Sequence, residues 1–215
     1  MRRIKMEFFE VLDKRYSARK FADTQIPEED IKKLIEAAGK APSAKNAQNW
    51  KFVVIQNKDL ISKMGETVDA KMAKIAEGLG EEKGAKFLKF SRFSTFFRDA
   101  PTVIAVYAKE YVPEGLKEVI DSGMPKLDQD RMWYANPGIQ SIGAGIENLV
   151  LAAYAMGYGC CWMTSANHTL LELEEVIPYK EDRQRLVALL PIGVPVGEPK
   201  SPAKLPVEEI MTIIK

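Results

Sequence analysis

The 215 residues carry 31 Lys and Arg against 30 Asp and Glu, a formal net charge of +1, with 46% apolar and 28% charged side chains. That composition supports a single compact domain over 1–215 with a sizeable core, and argues against disorder. The even charge balance provides no field for steering nucleic acid or an anionic bilayer, so those partners are not expected.

From the N-terminus, Met1 to Glu7 has the charge of an export signal without its apolar core, because Glu7, Glu10 and Asp13 interrupt the run; a cytoplasmic location is expected. Met6 to about Arg15 predicts a helix with Phe9 and Leu12 at helical spacing. A second helix starts near Pro27 and carries Glu28, Glu29 and Asp30 at its positive end. It buries Ile31, Leu34, Ile35 and Ala38 and stops before Pro42. Trp50 to Gln56 is rich in β-formers and predicts a strand. Asp59 to about Glu77 predicts a helix, ended by Gly78, Gly80 and Gly84. Phe87, Phe90, Phe93 and Phe97 then recur at three- and four-residue steps, the pattern of one amphipathic helix burying an aromatic stripe.

Pro101 to Ala108 predicts a strand. Residues 109–133 read as a polar, loop-rich excursion with a short helix inside, the kind of insertion that covers a pocket. From Pro137 a long helix runs to Met156; Ile139 to Met156 is too short and too polar to cross a bilayer, and Gly143 and Gly145 flatten its surface. A strand over Tyr158 to Met163, a helix over Leu170 to Val176 and a strand over Leu186 to Ile192 follow. The tail 194–215 holds Pro195, Pro199, Pro202 and Pro206, so it reaches over a surface, a partner's among the candidates, rather than entering the sheet. Interleaved helices with few strands and irregular crossovers indicate an α+β sandwich.

Little conventional chemistry is available. Cys160 and Cys161 are adjacent, a spacing that suits neither a disulfide framework nor a metal site. His168 is the only histidine, which argues against a His-dependent triad. No metal is expected, and the chemistry falls to carboxylates or a cofactor.

Three clusters draw notice. Lys14-Arg15-Tyr16-Ser17-Ala18-Arg19-Lys20 interleaves four cations with a hydroxyl; it suits a phosphate, or equally a solvated basic helix end. Ala41-Pro42-Ser43-Ala44-Lys45-Asn46-Ala47-Gln48-Asn49-Trp50 combines small residues that admit a flat ligand with amides that read a ring edge. A loop whose Asn and Ser cap backbone groups is the other reading of it. Gly157-Tyr158-Gly159-Cys160-Cys161-Trp162-Met163-Thr164-Ser165 is a strand ending in small polar residues whose N–H groups could face a ligand, with Trp162 and Met163 alternatively core. Nowhere is there a GxGxxG or Walker loop, so a Rossmann dinucleotide site is unsupported.

In order and separation the three clusters resemble the FMN-dependent nitroreductase family. Pro191-Ile192-Gly193-Val194-Pro195 and the tail Lys204-Leu205-Pro206-Val207-Glu208-Glu209-Ile210 add to the likeness. The resemblance implies a central, mostly antiparallel sheet flanked by helices, with the C-terminal arm exchanged in a homodimer. Arg15, Ser17 and Arg19 would hold the FMN phosphate, with Tyr16 beside them and Lys204 assisting. Pro42, Ser43, Ala44 and Asn46 would come from the second subunit and line the ring and ribityl chain, and backbone N–H groups near Thr164 and Ser165 would face flavin N5. The excursion 109–133 would cover the flavin, and no catalytic side chain is required, since the redox chemistry belongs to the cofactor. The implied activity is a ping-pong transfer from NADH or NADPH to a small-molecule acceptor such as a nitroaromatic or quinone. A flavin carrier, store or sensor, or a dehalogenating or flavin-fragmenting branch of the fold, is the alternative. Three departures stand against the family pattern. Asn49 is found where the family commonly has proline, a change expected to loosen the turn without abolishing binding. Phe93, Phe96 and Phe97 occupy a segment where some relatives place Asn and Lys. The acid, tyrosine and lysine lid typical of the dehalogenating branch is not matched in 109–133.

Overall fold

The computed structural model describes residues 7–197 and 201–215. The expected helix start at Met6, and Pro199 of the tail, lie outside them. Helix α1 (Phe8–Lys14) is followed by α2 (Glu28–Gly39), with Pro27 at its cap and three acids in its first turn. Strand β1 (Trp50–Ile55) leads into α3 (Lys58–Leu79), whose N-terminus is capped by Asn57 Oδ1 accepting from the Leu60 N–H at 2.9 Å. Two short helices, α4 (Glu81–Leu88) and α5 (Arg92–Thr95), precede β2 (Thr102–Lys109). The excursion holds α6 (Leu116–Asp121) and α7 (Lys126–Tyr134). Then come α8 (Pro137–Ala155), β3 (Gly159–Cys160), α9 (Leu170–Val176), β4 (Gln184–Gly193) and, in the tail, α10 (Val207–Ile210).

The strands form one sheet in the order β1-β2-β4-β3, every neighbouring pair antiparallel. Period-2 alternation divides its side chains between two cores. Val103, Ala105 and Tyr107 pack with Met64, Val68 and Leu173 from α3 and α9. Ile104 and Val106 face Leu34, Ile142, Ile146 and Leu149 from α2 and α8. On β4, Leu186 and Leu189 share the first face and Ala188, Leu190 and Ile192 the second. This break in parity coincides with the register shift between Val106 and Tyr107, where Val187 is skipped, as a β-bulge requires. The expected sandwich is thus observed, with the sheet between two helical layers. Gly145 of α8 lies where a Cβ would stand 3.4 Å from the Ala38 carbonyl, so the absent side chain admits α2 at close range.

The aromatic stripe departs from expectation. Phe87 to Phe97 is not one helix: Lys89 to Ser91 break it into α4, α5 and a 3₁₀ turn (Phe96–Asp99). Only Phe97 is fully buried, while Phe90 and Phe93 are exposed. The turn lets the segment bend around α3, which no straight helix between Gly80 and Pro101 could do. The strand expected over 158–163 is regular only at Gly159–Cys160, yet its edge continues in register: the Cys161 N–H donates to Pro191 O, and Met163 exchanges both backbone bonds with Leu189. The described tail, 201–215, is exposed throughout and enters no sheet. No helix among the described residues is long and apolar enough to cross a membrane.

Candidate functional site

The basic stretch begins where α1 ends. Arg15, its C-cap, leaves helical geometry at ψ 139°, and the chain then runs extended along the free edge of β3. Ser17 forms a parallel bridge to Cys160, and the Ala18 N–H donates to Cys160 O at 3.0 Å. Glycine at 159 permits this approach: a Cβ there would lie 2.5 Å from Ala18 Cβ and 3.0 Å from Pro195 Cβ. A segment that reads as a helix end in sequence is therefore held as an extra strand. Tyr16 packs edge-on to Tyr154 of α8, centroids 5.7 Å apart. Arg15 Nε stands 3.8 Å from Glu147. Arg19 is exposed and has no carboxylate within ion-pair distance among the described residues. Burial, the largest influence, pushes the Cys161 thiol pKa up, and Arg19, the Ser17 hydroxyl and Arg15 act against it, which places this thiol at the base of the basic stretch. Burial pushes Cys160 up further; both sulfurs are poor nucleophiles.

Farther along the same edge, Thr164 and Ser165 are exposed, and neither backbone N–H has an acceptor among the described residues. The Ser165 side chain is occupied elsewhere: its Oγ donates to Phe93 O at 2.6 Å, and its carbonyl accepts from Ser94 Oγ at 3.0 Å. Ser94, itself buried, escaped the sequence reading because a serine inside an aromatic run carries no distinguishing pattern. Met163 is core, as one reading had it. Trp162 is not; its indole lies over α8 at Gly143, where a Cβ would meet Cη2 at 3.3 Å.

The Pro42–Asn46 loop is braced on the first turns of α8, with the Ala44 N–H donating to Ser141 Oγ at 3.0 Å. Ser43 Oγ accepts from the Gln48 N–H at 3.0 Å, so the capping reading applies to this residue. Lys45, Asn46 and Gln48 hold left-handed backbone, φ 53°, 53° and 44°, which is strained at non-glycine positions. Lys45 pairs with Glu114, tying loop to excursion. Ser141 and Glu147 are six residues apart on α8, about 9 Å along its axis, so the loop and the basic stretch meet that helix at separate places. Asn49, where a looser turn was expected, makes three-way contact instead. It is buried, and its Nδ2 donates to Lys109 O at 3.2 Å and Gly138 O at 3.3 Å, joining β1, β2 and α8.

Lys204 is exposed, three residues beyond Ser201, whose Oγ donates to Arg15 O at 3.0 Å. A cavity of about 650 Å³ opens at the other end of α8, lined by Asn49, Tyr111, Trp133, Asn136, Arg183 and Arg185 among others. It includes no residue of the basic stretch. We place the candidate site at the basic stretch and strand edge rather than at this cavity. At the edge, Arg19 has no carboxylate within ion-pair distance and the Thr164 and Ser165 N–H groups have no acceptor among the described residues, whereas in the cavity Arg183 stands 3.7 Å from Asp182. The described residues contain no group of three or more His, Cys, Asp or Glu disposed to hold a metal.

The Nitroreductase family model matches residues 12–194. A crystal structure of a BluB-like flavoprotein from Clostridium difficile 630 is 42% identical and superposes with a TM-score of 0.92, covering 98% of this chain and 100% of that one. Among curated sequences, an iodotyrosine deiodinase of Nematostella vectensis is 26% identical over 99% of this chain and 77% of its own. A putative NADH dehydrogenase/NAD(P)H nitroreductase of Methanothermobacter thermautotrophicus is 25% identical over 91% of this chain and 81% of its own. The family match spans the basic stretch, the Pro42–Asn46 loop and the strand edge ending at Ser165, and the chain belongs to the Nitroreductase family.

Proposed function

We propose that this protein is an FMN-dependent oxidoreductase that takes electrons from NADH or NADPH and reduces a small acceptor, such as a nitroaromatic or a quinone. The observation that carries the reading is the β3 edge. Cations and a hydroxyl sit at one end, at Arg15, Ser17 and Arg19, and acceptor-free N–H groups stand at the other, at Thr164 and Ser165. An anionic tail attached to a flat, hydrogen-bonding ring is the ligand such an edge suits, and one phosphate is what the basic stretch can accommodate. When bound, FMN would supply hydride acceptance and donation at N5. The chain's own part is to fix the phosphate with Arg15, Ser17 and Arg19, assisted by Lys204, and to direct the Thr164 and Ser165 N–H groups at the ring. With both thiols held protonated, the redox chemistry rests on the cofactor and no side-chain nucleophile is required.

A homodimer completes the site on this reading. Pro42, Ser43, Ala44 and Asn46 are braced away from their own basic stretch, so they line the partner's flavin, and the Lys45–Glu114 pair carries the excursion there as a cover. Exposed Phe8, Phe9 and Leu12 on α1 and Leu205, Ile210, Ile213 and Ile214 in the tail supply apolar surface for the seam and the exchanged arm. A cytoplasmic location fits the two unpaired thiols.

The test is an absorbance spectrum of the purified protein and its mass in solution, then anaerobic titration with each nicotinamide. A yellow dimer bleached by NADH or NADPH and reoxidised by a quinone is expected; a colourless monomer that refuses added FMN would end the reading. The deiodinase likeness across 99% of the chain favours one second reading, a reductive dehalogenase. Halide release from a halogenated aromatic by the reduced protein, with slow quinone turnover, would replace the first reading with the second.

A further inference from the structure

We infer that the cavity at the N-terminal end of α8 is a ligand site for an uncharged, planar heteroaromatic carrying a ring N–H. The cavity is separate from the basic stretch, and the inference holds whether or not a flavin binds there. About 650 Å³ is enclosed, room for a bicyclic ring with substituents. The walls come from four places in the chain: Asn49 before β1, the end of β2 with the start of the excursion, Trp133 with the first turn of α8, and the approach to β4. Two of those walls are held by residues in left-handed backbone, Asn136 at φ 41° and Arg183 at φ 56°. Each is tied down: the Asn136 N–H donates to Trp133 O at 2.8 Å, and the Arg183 carbonyl accepts from the Glu110 N–H at 2.9 Å. Strain of this kind persists only where the surroundings fix it, so the cavity is formed before any ligand arrives.

The chemistry of the ligand follows from what the walls lack. Asn49 is 5% exposed, and its Nδ2 donates to the carbonyls of Lys109 and Gly138, both wall residues. Turning the carboxamide over would set its oxygen against those two carbonyl oxygens, so the amide orientation is fixed. Oδ1 then stays buried at the wall with no donor among the described residues, and no other lining residue carries such a side-chain atom. A buried acceptor without a donor is unfavourable, and an N–H on a ligand would satisfy it. Beside it stands an aromatic face. A Cβ on Gly138 would lie 2.7 Å from Tyr111 Cβ, with Tyr111 Cγ and Asn49 Nδ2 at 3.4 and 3.3 Å from the same point, so the glycine lets the phenol approach the amide. Trp133 and the apolar side chains of Ile139 and Val187 complete a surface for a flat ring. Charge argues against an ion. The lining carries Lys109, Arg183 and Arg185 against Glu110, Glu181 and Asp182, which leaves no net field for a ligand of either sign.

Calorimetric titration of the protein as purified, with indole, 1-methylindole and 3-methylindole, tests the assignment. The two methylindoles have the same size, but only 3-methylindole keeps the ring N–H. We expect it to bind within about threefold of indole, and 1-methylindole to bind at least about tenfold more weakly than either. Indole-3-acetate, which adds a charge, should gain no more than about threefold over indole. Ile139→Trp, at an exposed lining position, should block indole, and Trp133→Ala should weaken it. Added FMN should leave the indole affinity within about twofold. Absence of indole binding, equal affinity for the two methylindoles, displacement by FMN, or indifference to both substitutions would each overturn the proposal. Asn49→Ala should bind the two methylindoles alike; if that variant fails to fold, the same pair of ligands on the wild-type protein still decides. A protein that takes up no FMN would remove the flavin reading and leave this one standing.

Discussion

Ser201 donates its hydroxyl to the carbonyl of Arg15 across 3.0 Å, joining points 186 residues apart in the chain. The tail thus resumes at the basic stretch, with Lys204 one short span farther on. Both ends of the sequence contribute to the place where we put the phosphate, and the first test is there. Charge-assisted hydrogen bonds contribute about 1.5–3 kcal/mol each, so Arg15→Ala with Arg19→Ala should weaken FMN binding at least about a hundredfold. Both side chains are outside the core, so the melting temperature of the apoprotein should move little. Apoprotein titration with FMN, followed by flavin fluorescence, reads the affinity; retention of full flavin content by the double variant would remove the assignment.

Gly159 tests the strand edge itself. A methyl group there would press on Ala18 Cβ at 2.5 Å and Pro195 Cβ at 3.0 Å, both on backbone that has little room to withdraw. Overpacking of this kind costs about 1–3 kcal/mol. Because Ala18 is hydrogen-bonded to Cys160 beside the Ser17 bridge, the displaced segment is the one carrying Ser17 and Arg19. Gly159→Ala should therefore lose stability and FMN affinity together, whereas Gly39→Ala, with open space around its Cβ, should lose neither. Urea unfolding alongside FMN titration distinguishes the two outcomes.

The elements legible in the sequence were those whose burial follows a single period. Ile31, Leu34 and Ala38 predicted α2 because one face of it meets one core. The β-rich run from Trp50 predicted β1, whose alternate residues meet the two cores, Trp50 and Phe52 one and Val53 and Ile55 the other. The stretch Lys14 to Lys20 was legible by charge but not by shape. Its strand-like path depends on Gly159 and Cys160, about 140 residues away, and no local pattern encodes that pairing. The aromatic stripe misled for the opposite reason: its spacing is helical, but Phe90 and Phe93 turn outward where the chain bends at Lys89 to Ser91. Ser94 and Asn49 were illegible as structural anchors, since each bonds a partner more than 50 residues distant.

Asn49 illustrates what such an anchor contributes. Its amide nitrogen satisfies two carbonyls, Lys109 O and Gly138 O, while its Oδ1 is buried without a partner among the described residues. Asn49→Ala strips a donor from the buried Gly138 carbonyl and from the part-buried Lys109 carbonyl, a loss of about 1–3 kcal/mol, partly offset by removal of the unsatisfied oxygen. Asn49→Asp should be worse, because a carboxylate would face two carbonyl oxygens without a proton to offer. The order wild type, Ala, Asp in urea midpoint checks this; an Asp variant as stable as wild type would contradict the hydrogen-bond assignment.

Tyr107 provides a pH test independent of any ligand. Its ring lies in the α3/α9 core against Tyr179, centroids 4.8 Å apart, and its hydroxyl is buried without a hydrogen-bond partner among the described residues. Burial first, then the nearby Glu174 and Tyr179, push its pKa up to about 12 from an ordinary 10.0. The folded chain therefore keeps this proton over a range in which the unfolded chain releases it. Folded protein binding more protons means that stability falls as pH rises. The loss begins near pH 10 and levels off above about 12, amounting to on the order of 2–3 kcal/mol. Tyr107→Phe removes the titrating group together with an unsatisfied hydroxyl, so at pH 7 it should be neutral or slightly stabilising. Lysine titration contributes the same background to both proteins, so the quantity to measure is the difference in unfolding free energy between wild type and Tyr107→Phe from pH 8 to 11.5. That difference should widen with pH in favour of the variant; a constant difference would show that the phenol ionises alike in the folded and unfolded chain.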